Sequence, residues 1–373
     1  MRILIVDVYY PNFLRSFYYK NPKLKTEKFE RHKRILMDEM FGTADFYSRA
    51  LIKLGYPTND VILNNEYLQK AWTEEHEISS LNFTNKIIDV VISKIPAASN
   101  RVSLNWELKI LSEQIEDFKP DILYSHNLGY INPTFLKKIK PQLKMLVGQI
   151  ASPVPPFRNL KIYDLIITSL PHFVEKFQKM GINSEYLPLC FESSILKKLP
   201  KQKRKYELTF VGGISRAHKE GLRLLNGLAQ IIKFDVWGYG KEELERNSNL
   251  YKFHHGEAWG KDMYNIMLQS KITINRHIDI AEDYANNMRL YEATGCGAML
   301  ITDKKKNLSD FFKIDKEIIS YEDTDDLIEK IRYYLKKDKE REAIASAGQK
   351  RTLKDHNYSV RMKELVNILE KYI

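Results

Sequence analysis

The chain has 373 residues, 43% hydrophobic and 12% aromatic, with a formal net charge of +11. That size and apolar content exclude a small disulfide-stapled module and a globally disordered chain, and they predict about two domains. Residues 1–200 carry 27 basic and 21 acidic side chains, leaving +6 there and +5 in the remainder, so the charge is a shared background.

The N-terminal "RILIVDV" (2–8) reads as a buried parallel strand. It is too short for a secretory signal, and no stretch approaches the ~18 apolar residues of a membrane span. Cys190 and Cys296 lie far apart in apolar contexts. They offer neither a disulfide framework nor a Cys-based zinc site, which suits a soluble cytoplasmic protein of a reducing compartment. One segment, Arg15 to Arg34, concentrates 8 basic and 2 acidic residues, interleaved with Phe17, Tyr18, Tyr19 and Phe29. Three uses compete for it: a solvated face, an acceptor platform of stacking aromatics, or a rim for peripheral contact with an anionic membrane.

Further along, "TADFYSRALIKLG" (43–55) reads as a helix and "NDVILN" (59–64) as a strand. In "LNWELKILSEQIEDF" (104–118), Leu104, Leu108, Leu111 and Ile115 fall at helical spacing. "DILYSH" (121–126), "KMLVGQI" (144–150) and "DLIITS" (164–169) read as strands, and "HFVEKFQKMG" (172–181) as a helix stopped by Gly181. A basic linker, "KKLPKQKRK" (197–205), holds six Lys/Arg and no acid. The alternation then restarts: strand 206–213, helix 219–231, strand 233–240, helix 261–270, strand 271–276, strand 317–321, and helices from Thr324 onward. Strands alternating with helices predict parallel sheets of βαβ units. The boundaries expected are 1–198, 199–355 and a closing helix over 356–373 that crosses back to the first domain.

Ligands of open parallel sheets bind beyond the carboxyl ends of the strands. There, "FVGGISRAHK" places Gly212 and Gly213 before a helix, with Arg216, His218 and Lys219 adding positive charge. Close backbone approach and free helix N–H groups suit a phosphate, though a glycine pair after a strand is also often only a tight turn. In "NNMRLYEATGCGAMLITD" (286–303), a helix starting near Asn287 puts Asn286, Asn287 and Arg289 at its positive end. Glu292 follows Arg289 by three residues on the same face, and a carboxylate there can accept both hydroxyls of a ribose. The alternative is an internal Arg–Glu pair, so Arg289 either touches phosphate or holds Glu292 in place. Gly295 and Gly297 are expected to turn the chain back into the sheet. "DTD" (323–325) precedes an amphipathic segment and reads as a helix cap rather than a metal site.

The string "ITINRHIDIAEDYANNMRLYEATGCGAMLITD" resembles the donor-binding region of group-1 glycosyltransferases of the GT-B fold, in particular the CgeB-like branch. "ELTFVGG", "VWGYG" and "HHGEAWGKDMYNIMLQSKITIN" resemble that family's preceding blocks in the same order, and "DHNYSVRMKEL" (355–365) its closing helix. The resemblance implies an α/β fold of two Rossmann-like domains facing a cleft, with C-terminal helices packing back toward the N-terminal domain. It implies that Glu292 binds ribose, and that Gly213, Arg216 and the helix start around Asn287 hold a diphosphate. Asn275, Arg276 and His277 would then line the sugar side. Retaining members carry a second glutamate eight residues before the ribose-binding one; here Tyr284 stands there, which leaves the stereochemistry open. On the acceptor side, His126 and Asp7 stand at strand ends as candidate bases. The expected reaction moves a sugar from a nucleotide-diphosphate-sugar to a hydroxyl of a glycan, glycolipid or glycoprotein, with no cofactor and no metal. A sugar-nucleotide epimerase of the same fold is the alternative enzyme. A basic nucleic-acid-binding protein is the alternative from another class, disfavoured by the evenly spread charge.

Overall fold

The computed structural model describes residues 1–78, 105–156, 160–214 and 218–373. The chain divides into two compact units, Met1–Leu187 with Met362–Ile373, and Pro188–Arg361. Each is built on one parallel sheet.

The first sheet joins β1 (Ile3–Asp7), β2 (Thr58–Ile62), β3 (Ile122–Ser125), β4 (Met145–Ile150), β5 (Leu165–Thr168) and β6 (Ser184–Tyr186) in the order β2-β1-β3-β4-β5-β6. Every paired strand is parallel. The central strands are short apolar runs buried along their length, as helix-covered parallel strands must be. Asp7 pairs with Ile62 and Val6 with Ser125, so Asp7 and the residue after β3 reach the same edge.

Helices Pro11–Lys20, Phe29–Asp38 and Glu66–Glu75 occupy ground where the sequence pattern showed mainly charge. Their buried stripes are aromatic and sparse: Phe13, Phe17 and Tyr18 on one, Phe29, Leu36 and Met37 on the next. Pro11 starts the first helix, where its missing N–H costs nothing, and the Asn65 side chain caps the third through Leu68 N. The helix expected over 43–55 is shorter, Phe46–Lys53. That expected over 104–118 is described from Asn105 to Phe118, and Leu104 lies outside the described residues.

The second sheet joins β7 (Tyr206–Val211), β8 (Asp235–Trp237), β9 (Ser270–Asn275), β10 (Met299–Asp303) and β11 (Ile319–Tyr321) in the order β11-β10-β9-β7-β8. Leu208, Phe210, Ile272, Ile274, Met299 and Ile301 from its strands meet Leu225 and Leu228 of helix Lys219–Ile231 in one core. That helix spans the residues its apolar spacing predicts. The "DTD" acid Asp323 is a helix cap: its side chain accepts from Asp326 N at 2.9 Å. The final helix, Tyr358–Glu370, carries the chain into the first unit. There Tyr56 donates to Glu370 at 2.9 Å and Tyr372 to Glu185 at 3.0 Å.

Candidate active site

In each sheet the strand order reverses once, and the crevice beyond the strands at such a switch point is where open α/β sheets bind ligands. The switch lies between β1 and β3 in the first unit, and between β7 and β9 in the second.

At the first switch point the structure brings Asp7 and His126 together. The His126 Nδ1 lies 3.6 Å from Asp7 Oδ2, and the Thr43 hydroxyl touches both, 3.3 Å from the carboxylate and 3.2 Å from Nδ1. Asp7 is fixed in turn by Val8 N, which donates to its Oδ1 at 2.7 Å. The rings of Tyr47 and Tyr124 meet the imidazole edge-on, and their hydroxyls both donate to Gln149 Oε1. His126 Nε2 is buried and has no hydrogen-bond partner. An imidazole whose Nδ1 faces a carboxylate presents Nε2 as the acceptor, the arrangement a general base requires.

At the second switch point, Gly212 and Gly213 leave β7 paired with the loop after β8. Gly212 N donates to Trp237 O at 2.9 Å, and Ile214 N to Tyr239 O at 2.8 Å. A Cβ on Gly213 would sit 2.2 Å from the Tyr239 ring, and one on Gly240, at φ +95°, 1.5 Å from Ile214 O. The close approach at these glycines is therefore between two loops of the protein. The Tyr239 ring lies parallel to Trp259, with centroids 6.1 Å apart. Arg216 lies outside the described residues. Lys219 is exposed at the first position of its helix, where Glu220 N lies 3.5 Å from Asp279 Oδ2.

Beyond β9, Asn275 donates to Thr302 Oγ1 at 2.9 Å and accepts from Asn287 Nδ2 at 2.8 Å. The helix expected near Asn287 begins at Arg289. The Asn287 Oδ1 accepts from Leu290 N at 3.2 Å, so one of the N–H groups expected to face a diphosphate is already taken. Asn286 is buried, with its Oδ1 unpartnered. The Arg276 guanidinium lies 3.5 Å from both Asp279 and Asp303. His277 and Asp303 form a buried pair, with Nδ1 and the backbone N both on Asp303 Oδ1, at 2.6 and 3.1 Å. Burial alone would raise the Asp303 carboxyl, but His277 and Lys305 pull it well below the usual carboxylate range.

Arg289 donates through Nε to Val211 O at 2.5 Å, and its Nη1 pairs with Glu292 Oε2. The Tyr264 hydroxyl donates to the other oxygen, Oε1, at 3.3 Å. Glu292, only 3% exposed, thus has both carboxylate oxygens held by the protein's own residues. Arg289 and Glu292 thus form the internal i,i+3 pair that their spacing allows. The two glycines that follow differ. Gly297, at φ +75°, turns the chain as expected, whereas Gly295 is needed because the Phe191 ring would stand 2.5 Å from its Cβ. The linker contributes Arg204, which donates to Leu268 O at 2.8 Å and to Gly297 O.

Asp303, Tyr264 and Thr43 contact the candidate site residues His277, Glu292 and His126, and local sequence patterns missed them. Asp303 had a signal: it is an acid closing an apolar strand that runs parallel to β9. Thr43 and Tyr264 are supplied by tertiary packing alone.

Residues 216–367 match the family described as glycosyl transferase-like. No curated protein matches the chain in sequence. Among solved structures, HepE from Anabaena, in complex with UDP and glucose, superposes with a TM-score of 0.60 at 12% identity over 100% of both chains. Sucrose-phosphate synthase from Thermosynechococcus elongatus gives 0.57 at 10% identity, covering 99% of each chain. A glycosyltransferase from Rickettsia africae gives 0.55 at 12% identity, covering 100% of this chain and 98% of its own. The family match covers 216–367, most of the second unit, and the fold shared along the whole chain is the two-domain GT-B fold of these structures.

Proposed function

We propose that the donor is a nucleoside-diphosphate sugar bound at the β7/β9 switch point of the second unit, and that the acceptor is a hydroxyl of a glycan, glycolipid or glycoprotein. The observation that carries this reading is Glu292, a buried carboxylate turned by Arg289 toward the end of β7, inside the region that matches the family. Its two oxygens match the two hydroxyls of a ribose, which would replace the weaker of the present contacts, from Tyr264. Uridine is the first base to test, because HepE is described with UDP and with UDP-glucose. The motif order favours the CgeB-like branch, and polysaccharide assembly on the cytoplasmic side is the setting in keeping with it.

In the reaction the acceptor oxygen forms a bond to the anomeric carbon. The bond from that carbon to the diphosphate oxygen breaks, and the electron pair leaves with the diphosphate. Arg216, Lys219 and Arg276 are the cations to stabilise that leaving charge without a metal. The acceptor proton goes to His126 Nε2, while Asp7 and Thr43 hold the imidazole. Calorimetry with UDP, GDP and ADP on the native chain and on Glu292→Ala tests the assignment. We expect one diphosphate to bind, and the variant to lose at least about tenfold in affinity. Unchanged affinity in the variant would remove Glu292 from the site. A native chain that isomerises a nucleotide sugar without acceptor would make it an epimerase.

A further inference from the structure

The segment Arg15 to Arg34 folds as part of the first unit. Helix Pro11–Lys20, a single-turn segment Pro22–Thr26 and helix Phe29–Asp38 are bolted down through their inner faces by Phe13, Phe17, Leu24, Phe29 and Leu36. Phe13 stacks on Phe41 with centroids 4.0 Å apart. Tyr18 ties the helices together, 2.6 Å from His32 Nε2 and donating to Asn65 at 2.6 Å.

Of the basic residues in the segment, Lys33 alone turns inward, donating to Asn59 at 2.6 Å. Arg15, Lys20, Lys23, Lys25, Lys28, Arg31 and Arg34 all remain exposed or at the surface of these elements. Two acids stand against them, and Glu27 is engaged with Arg31 at 3.1 Å. Arg15 and Tyr19, four residues apart, share one outward stripe of the first helix. The Tyr19 ring is 89% exposed in the midst of this charge.

We propose that this face is a docking surface for an anionic lipid bilayer. Seven exposed Lys and Arg between Arg15 and Arg34 attract the negative surface potential of such a membrane, and their long aliphatic stems settle at the headgroup level. A tyrosine standing out among them has the amphipathic ring that membrane interfaces favour. The cations are spread over two helices and the single-turn segment between them, and all seven are exposed. The helix carrying Arg15 and Tyr19 starts four residues after Asp7, so it follows directly from the strand that ends there. This inference rests on the first unit's own charge layout and is independent of the donor assignment.

The test is co-sedimentation of the full chain with vesicles of neutral phosphatidylcholine, alone or with about 30% anionic phosphatidylglycerol, over a salt series. The anionic vesicles should bind at least about tenfold better, with the gain falling as salt rises. The quadruple variant Lys23→Glu, Lys25→Glu, Lys28→Glu and Arg31→Glu should lose that gain, and Tyr19→Ser should weaken binding severalfold at constant salt dependence. Thermal melts and nucleotide binding, read in parallel, show that both variants are folded. Equal binding to neutral and anionic vesicles, no binding to either, or full retention of binding by the folded quadruple variant would each overturn the proposal. So would tighter capture of a generic oligonucleotide than of the anionic vesicles at near-physiological salt.

Discussion

His277 and Asp303 lie on adjacent strand ends of the second sheet, with Nδ1 2.6 Å from Oδ1 and both side chains buried. The first sheet repeats the theme with His126 and Asp7 at its own switch point, more loosely, at 3.6 Å. In both pairs Nδ1 is turned to a carboxylate and Nε2 has no partner. The two pairs differ in closeness and in burial: His277 is fully enclosed, whereas His126 and Asp7 keep some exposure.

Asp303→Asn should therefore act first on stability. The folded pKa of Asp303 lies below its unfolded value. Its contribution is present above the unfolded pKa of about 3.9 and is lost as pH falls through the folded value. At pH 7 the variant should be less stable by roughly 3 kcal/mol, because a buried pair loses one partner. Denaturant melts at pH 7 and at about pH 2 should show the deficit shrinking in acid. An equal deficit at both would assign the loss to packing.

Asp60 carries the opposite sign. Burial raises its carboxyl from the ordinary 3.8 to about 6, against the pull of Lys33 and the Ser48 hydrogen bond. A raised folded pKa gives stability that is full below the unfolded value and is lost as pH rises through about 6. Asp60→Asn removes that dependence. Relative to the native chain, it should gain on the order of 2–3 kcal/mol between pH 4 and pH 7. Parallel stability curves for the two proteins over that range would contradict the assignment.

Arg289 and Glu292 should be strongly coupled. Removing either leaves the other partly buried without its partner, so the single variants Arg289→Ala and Glu292→Ala should cost nearly as much as the double. A double-mutant cycle read by nucleotide affinity should give a coupling of about 1–3 kcal/mol. Additive losses would mean that Arg289 contacts the ligand independently of Glu292.

His126→Ala should lower kcat by about 10²–10⁴-fold with little change in nucleotide affinity, the range expected for loss of a general base. Thr43→Val should lower kcat in the same direction by a smaller factor, since its hydroxyl touches both Nδ1 and Asp7. A His126 variant with native kcat would return the residue to a packing role.

Two glycines separate strain from collision. Gly55 has φ +90° with nothing within 4 Å, so Gly55→Ala should cost about 1–2 kcal/mol of backbone strain. Gly240 has φ +95° and places a Cβ 1.5 Å from Ile214 O. Gly240→Ala should cost well beyond that strain, because backbone must move, and should also disturb the loop around Tyr239. Equal melting temperatures for the two variants would count against this account.

The sheets were legible in the sequence because buried parallel strands are short apolar runs, and helix Lys219–Ile231 because its apolar residues keep strict helical spacing. The 11–20 and 29–38 helices were hidden. Their buried stripes hold only a few apolar residues, mostly aromatic, and four exposed cations on them with three more between them dominate the composition. Strand β6, "SEY", has three residues and no apolar pattern, and it is a strand only because β5 pairs with it. At the site, the i,i+3 relation of Arg289 and Glu292 was readable within one helix. The pairing of His277 with Asp303 was not, since it follows from the β9–β10 register, which sets Thr302 against Asn275. Nor could a glycine's motif show whether a ligand or a neighbouring ring demands it, as Gly213 with Tyr239 and Gly295 with Phe191 demonstrate.

Arg204 gives the basic linker an internal boundary. One guanidinium accounts for the carbonyl of Leu268, at the end of helix Gly260–Leu268, and that of Gly297, at the turn into β10. From this residue onward the backbone is stitched to the second sheet, and the lysines before it are exposed. A protease that cuts after both lysine and arginine should nick the stretch at Lys201 or Lys203 and spare the bond after Arg204. A fragment that begins downstream of Arg204 would be less stable than one that keeps it, because the turn feeding β10 would have lost this tether.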